Sequence, residues 1–241
     1  MPSGPSSRLT EENLSDLVLV ALAFGAGAVD AISYLGLGRV FTANMTGNIV
    51  LLGVAAGGGV KATLVRSAIS LVAFAAGILV ATLIAGRSGP QRSWSPGAKI
   101  ALGFEAVAQA GVLAGWLASS AHPGSALKAI LVGASALAMG LQAGTVRAVT
   151  TTGISATYVT GTLAGLIANL ATGAGSRRDW SRRSLVVVAL LAGAACAALL
   201  MVDARRVATA LPLAVTTVVI GSIVYLVPRA RAPRGPVQQI R

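Results

Sequence analysis

Two acids stand alone inside long apolar stretches, Asp30 and Glu105. If those stretches lie in lipid, each carboxylate costs roughly 2.5–3.5 kcal/mol on insertion scales unless it faces protein or water. Both are therefore candidates for proton or ion coupling. Asp30 equally fits a charge near the end of its segment, reaching the interface or pairing with Arg39 or Arg147. Glu105 equally fits a buried, hydrogen-bonded carboxyl that orders neighbouring helices. A second kind of chemistry sits in Asn44-Met45-Thr46-Gly47-Asn48, which reads as a helix opening. Free backbone N–H groups and the positive end of the helix dipole suit an anion or a substrate carboxylate, with Asn44, Thr46, Gly47 and Asn48 as its side of a binding site. Thr157, Tyr158, Thr160, Gly161 and Thr162 form a similar opening further along and would supply the partner half-site. The bland reading is that Thr and Asn cap helices while Gly permits close crossing. Gln142 is a lone amide that binds either a solute or a neighbouring helix. Arg147 is either an anion partner or a side chain reaching the interface from a helix end.

Other chemistries lack their residues. One Cys and one His leave no ligand set for zinc, haem or iron–sulfur centres, and no cofactor is expected. His122 lies in a loop, far in sequence from any nucleophile, which removes Ser/His/Asp catalysis. Gly57-Gly58-Gly59-Val60-Lys61 lacks the spacing and the Ser/Thr of a phosphate-binding loop. No enzymatic activity is expected. The net charge of +12 comes from Lys and Arg that sit mostly between or beyond the apolar stretches. No aromatic residues interleave with them to stack bases, so the charge reads as topology-setting and lipid-facing, without nucleic acid binding.

The elements that must position these residues are helices in a membrane. The chain of 241 residues is 55% hydrophobic and 11% charged, with a mean hydropathy of +0.79. A soluble domain averages about 25% charged residues, so this chain lacks the polar surface to cover itself in water. Eight apolar segments run at about 17–36, 41–58, 68–86, 99–118, 126–146, 155–173, 184–202 and 207–227. Each approaches the ~20 residues that a helix needs to cross ~30 Å of hydrocarbon. The fold class is all-α, a polytopic membrane bundle of six to eight apolar segments. Residues 1–15 read as a disordered cytoplasmic tail, 16–228 as one transmembrane domain, and 229–241 as a basic cytoplasmic tail. The polar start, with Glu11, Glu12 and Asp16, is unlike a cleavable signal peptide.

Segments two and six open with polar, Gly-containing stretches that match each other. Thr46-Gly47 and Thr160-Gly161 lie 114 residues apart. Leu22-Ala23-Phe24-Gly25 pairs with Leu137-Ala138-Met139-Gly140, and Ser70-Leu71-Val72 with Ser184-Leu185-Val186. The spacing predicts two pseudo-symmetric halves, about 16–118 and 119–228, with segments two and six re-entrant or broken if each half has three spans. Eight spans put 12 Lys and Arg inside and 7 outside with the N-terminus inside; six spans put 13 inside and 6 outside. Either arrangement puts both termini in the cytoplasm.

Ala26-Gly27-Ala28-Val29-Asp30-Ala31-Ile32-Ser33-Tyr34-Leu35-Gly36, followed by Val40-Phe41-Thr42-Ala43-Asn44-Met45-Thr46-Gly47-Asn48, resembles the YoaK-like family of small multi-pass bacterial membrane proteins of unknown function. Gly140-Leu141-Gln142 and Thr157-Tyr158-Val159-Thr160-Gly161-Thr162-Leu163 resemble its second signature, with Ala143 standing where an Asn is expected. The resemblance runs from about Asp16 to Val227 and implies about six spans in a bacterial plasma (inner) membrane. It implies no substrate. The expected function is a small secondary transporter or permease for a small polar or anionic solute. The competing class is a membrane scaffold or accessory subunit that binds partner helices. The lipid bilayer is the expected partner, and a homo-oligomer is compatible with the sequence.

Overall fold

The computed structural model describes residues 5–85, 94–149, 159–172 and 176–226. They form eight helices in chain order: α1 (Pro5–Gly36), α2 (Met45–Gly58), α3 (Lys61–Ala85), α4 (Pro96–Ala118), α5 (Ser125–Val149), α6 (Val159–Thr172), α7 (Arg177–Asp203) and α8 (Ala210–Leu226). α1 begins at Pro5, inside the stretch read as a polar tail. The basic tail at 229–241 lies outside the described residues.

Among the described residues, five stretches are long and apolar enough to cross a membrane: Asn13–Gly36 of α1, α3, α4, α5, and Trp180–Asp203 of α7. The 17 residues of α8 reach about 25 Å. The 14 residues of α2 and of α6 reach about 21 Å, well short of ~30 Å of hydrocarbon. The local chemistry explains several boundaries. Gly38 and Arg39 take positive φ, which turns the chain sharply after α1. Asn44 caps α2 by accepting from Gly47 N at 3.3 Å, and Gly59 ends it in the left-handed region. Ser95 caps α4 ahead of Pro96, whose missing N–H costs nothing in a first turn.

Two clusters mark the ends of the bundle. Val18, Leu22, Ala85, Trp94, Ala98, Val146, Val186 and Ile223 pack together at one end. Ile32, Leu37, Trp116, Leu131, Met201 and Ala208 pack together at the other. The starts of α1, α4 and α7 thus share an end with the finishes of α3, α5 and α8. Six helices alternate in direction between the two ends, and the short α2 and α6 lie on the flanks against α3 and α7. Outward side chains such as Val72, Leu79, Val107, Leu191 and Val218 are apolar and exposed, a surface suited to lipid.

The tightest contacts are made at glycines. α1 crosses α7 where Gly27 lies on the Leu190 carbonyl and Gly193 on the Phe24 carbonyl. α3 crosses α5 where Gly77 lies on the Leu137 carbonyl and Gly140 on the Phe74 carbonyl. Without a hydrophobic drive between helices in lipid, cohesion comes from such close backbone approach. Gly193→Ala should cost about 1–3 kcal/mol, because its Cβ would meet backbone that cannot give way. Gly103→Ala, with nothing within 4 Å of its Cβ, should be neutral or mildly stabilising. Unfolding of the purified protein in mixed detergent micelles checks the contrast; equal effects would refute it.

Candidate functional site

Asp30 lies two turns before the end of α1, where the chain doubles back to begin α2. Its Oδ1 accepts from Thr42 N at 2.8 Å and Ala43 N at 2.7 Å, and its Oδ2 from Asn44 N at 3.0 Å. Three successive amides at a helix N-terminus form an anion site, and here the anion is the protein's own carboxylate. Asp30 therefore pairs with backbone, and with neither Arg39 nor Arg147 among the described residues.

The loop so held is stitched further. Asn48 Oδ1 accepts from Phe41 N at 2.9 Å, while its Nδ2 donates to Phe41 O at 2.6 Å and to Ser70 Oγ of α3 at 2.9 Å. Ser70 donates to the same Phe41 carbonyl at 2.7 Å. Asn48 has thus spent its amide on the fold.

From Thr42 a line of hydroxyls crosses to α5. Ser33 Oγ donates to Val29 O at 2.7 Å and lies 2.8 Å from Thr42 Oγ1, which lies 3.1 Å from Ser135 Oγ. Each hydroxyl has one proton, so the Ser33 bond orients the rest: Thr42 donates to Ser33, and Ser135 to Thr42. Ser33 and Ser135 then present acceptor lone pairs to a cavity of about 20 Å³ between α1, α4, α5 and α8. That is room for one water. Gln109, Thr209 and Pro212 also line it, and the buried Thr209 hydroxyl has no hydrogen-bond partner among the described residues.

Beyond Gln109 lies Glu105, wholly buried. Gln109 Nε2 donates to Glu105 Oε1 at 2.9 Å, and Thr216 Oγ1 of α8 to the same oxygen at 3.0 Å. Among the described residues, Glu105 Oε2 has no hydrogen-bond partner and no cation pairs with this carboxyl. A polar band thus runs from Glu105 through Gln109, the cavity, Ser135, Ser33 and Thr42 to Asp30. The two acids singled out in the sequence lie at its two ends.

The remaining expected site residues fall elsewhere. Thr46 is exposed; Gly47 lies against the Phe41 ring, so close that a Cβ there would reach 2.8 Å from it. Gln142 is buried and donates to Leu22 O of α1 at 3.2 Å, the helix-binding alternative. Arg147 is exposed in the last turn of α5. Thr157 and Tyr158 lie outside the described residues, and of Thr160 the helical backbone is described. In α6, Gly161 is exposed and Thr162 buried. α2 packs on α3 and α6 on α7. Sequence reading missed Ser33, Thr42, Gln109, Ser135, Thr209 and Thr216. Two had a usable signal, since Gln109 follows Glu105 by four residues and Ser33 follows Asp30 by three, the spacings that share a helix face.

Removing Asp30 leaves three amides without their acceptor. Asp30→Ala should destabilise the protein by about 3 kcal/mol or more, and Asp30→Asn by less because one acceptor oxygen remains. Chemical unfolding of both variants in one detergent gives the comparison, and equal costs would contradict the triple-amide account.

Residues 18–223 match the family described as protein of unknown function DUF1275. The UPF0700 transmembrane protein YoaK of Bacillus subtilis (strain 168) is 36% identical over 162 residues, covering 67% of this chain and 70% of that protein. No solved structure matches. With an alternating apolar bundle and a match across most of its length, the chain belongs to this DUF1275 family of multi-pass membrane proteins.

Proposed function

We propose that this protein is a small secondary transporter for a small polar or anionic solute, with Asp30 and Glu105 as its coupling groups. The observation that carries the reading is the polar band joining two intramembrane acids that no cation neutralises among the described residues. Buried polar groups of this kind in lipid are costly, and they mark ion or solute paths. Asp30 occupies the α2 amides as a bound anion would. A proton on Asp30, or a solute anion competing with it, would free the amides of Thr42, Ala43 and Asn44, at the opening that Thr46, Gly47 and Asn48 continue. That gives the band a way to link ion and solute. Thr157, Tyr158, Thr160, Gly161 and Thr162 would serve the other half, and Gln142 would anchor α5 to α1. No catalytic role enters this reading.

The reading includes an inverted internal repeat, which two of the helix crossings support. Exchanging the halves carries α3 to α7 and α5 to α1, and both crossings are made by one glycine from each helix on a partner carbonyl. Three alternating spans and one short helix per half is a pattern of secondary transporters. The flux test uses proteoliposomes under an imposed pH gradient, screened with small polar and anionic solutes. Glu105→Gln and Asp30→Asn, normalised to folded protein, should each lower uptake at least tenfold; undiminished uptake in both would reject the coupling role.

Sidedness follows from charge. Among the described residues, the end holding the finish of α1 carries Arg39, Lys61, Arg66, Lys128, Arg205 and Arg206, and the opposite end carries Lys99, Arg147, Arg177, Arg178, Arg182 and Arg183; in sequence the remaining Lys and Arg fall between α3 and α4 or towards the two termini, which adds to the second group. The positive-inside tendency makes the former end extracytoplasmic and both termini cytoplasmic, in the plasma membrane of a bacterium. With Cys196 replaced by Ala, Gly124→Cys should react with an impermeant maleimide on intact cells, and Ser181→Cys only after permeabilisation. The reverse pattern would invert the topology.

A second reading, a scaffold that binds partner helices, is favoured by one feature. Gly53 and Gly57 lie four apart on α2 with nothing within 4 Å of either, a small-residue face another helix could meet. Co-purification of a stoichiometric partner lost in Gly53→Leu, with no uptake of any solute, would decide for it.

A further inference from the structure

We infer that the cleft at the α1 end of the bundle is a binding site for an oxyanion, either a phosphate-like or carboxylate solute or the headgroup of an anionic lipid. The cleft, of about 470 Å³, is lined by Tyr34, Leu35, Gly36, Gly38, Arg39, Lys128 and Arg205. Its three cations come from the turn after α1, the first turn of α5 and the connection from α7 to α8. No acid lines it, and among the described residues none of the three forms an ion pair.

Local stability does not account for these charges. Lys128 stands in the first turn of α5, where the helix dipole disfavours a cation. Arg39 takes φ +59°, so the turn that presents it is itself strained. Arg205 is set in place from below. Its Nε donates to Ala121 O at 3.0 Å, its guanidinium lies 5.4 Å from the centre of the Trp116 ring, and Trp116 Nε1 donates to its carbonyl at 2.8 Å. These contacts leave the terminal nitrogens of Arg205 without a hydrogen bond among the described residues, and a planar fork held this way suits two oxygens of one anion. A fourth guanidinium, that of Arg66, lies against Gly38 beside the cleft, its Nη2 donating to Ser125 Oγ at 3.3 Å. Three like charges gathered without a counter-charge repel one another until an anion joins them.

The topology rule does not account for them either, since by charge count this end is the extracytoplasmic one. The last turn of α1 separates the cleft from the buried cavity: Tyr34, Leu35 and Gly36 face one, Ser33 and Leu37 the other. A bound anion would sit at the mouth of the polar band. As a statement about the transported solute the inference rests on the transport reading; as a statement about binding it does not.

The test measures radiolabelled inorganic phosphate on the purified full-length protein in dodecyl maltoside by equilibrium dialysis. In parallel, native mass spectrometry follows phosphatidylglycerol retained from mixed micelles. Saturable phosphate binding, weakened about tenfold in Arg39→Gln and in Lys128→Gln but unchanged in the exposed control Lys61→Gln, supports a solute site. Retained phosphatidylglycerol lost in the same two variants, with no phosphate binding, supports the headgroup as the source. Arg39 and Lys128 have no described side-chain bond to the fold, so their variants should stay folded, which gel filtration checks. Probes that do not distinguish either variant from wild type, or an equal loss in Lys61→Gln, overturn the site. Binding without uptake would retain the site and discard transport.

Discussion

Asp30 closing on the amides of Thr42, Ala43 and Asn44 is the contact around which the first half is arranged. A helix that begins inside an apolar bundle exposes N–H groups that lipid cannot satisfy. Supplying the acceptor from α1 solves this and fixes where α2 starts. It also places Thr42 within reach of Ser33 and Ser135, and Phe41 within reach of Asn48 and Ser70. One carboxylate thereby orders a loop that touches α1, α3 and α5. Three charge-assisted hydrogen bonds offset part of the desolvation of that carboxylate.

Elsewhere the bundle coheres by shape. Helices come close at glycines, bury bulky apolar residues in clusters at the two ends, and turn many others outward. The interior also contains many small residues and a few polar ones, and several of the polar groups find a partner from another helix. Glu105 finds Gln109 and Thr216; Gln142 finds the Leu22 carbonyl. The polar band is what these separate solutions become when they meet around one small cavity.

The segments were legible because helices in lipid require long apolar runs, and all eight helices end within three residues of the boundaries read from hydropathy alone, while α1 begins well before its segment, at Pro5. The shortness of α2 and α6 was foreshadowed by their polar openings. Asp30 and Glu105 stood out as charges in apolar surroundings. What the sequence hid is tertiary. Ser33, Ser135, Thr209 and Thr216 look like any hydroxyl in a membrane helix, since a Ser or Thr can satisfy itself on its own backbone. Thr145 and Thr217 do so. Which hydroxyls reach across depends on the rotation of each helix, and weak one-sidedness in such uniformly apolar helices leaves that rotation unspecified. Arg39, Lys128 and Arg205 are spread across 167 residues of chain and converge once six helices are in place.

The described ion pairs, Arg178 and Arg182 with Asp16, all join the start of α1 to the start of α7 at one end of the molecule. Dissolved salt weakens attraction between exposed charges beyond ~8 Å at physiological strength and more steeply when concentrated. Among the described residues brine would therefore loosen one corner, the junction beside the amino-terminal end, while the glycine crossings, which involve no charge, go untouched. Tolerance of concentrated electrolyte is thus built into the greater part of this protein.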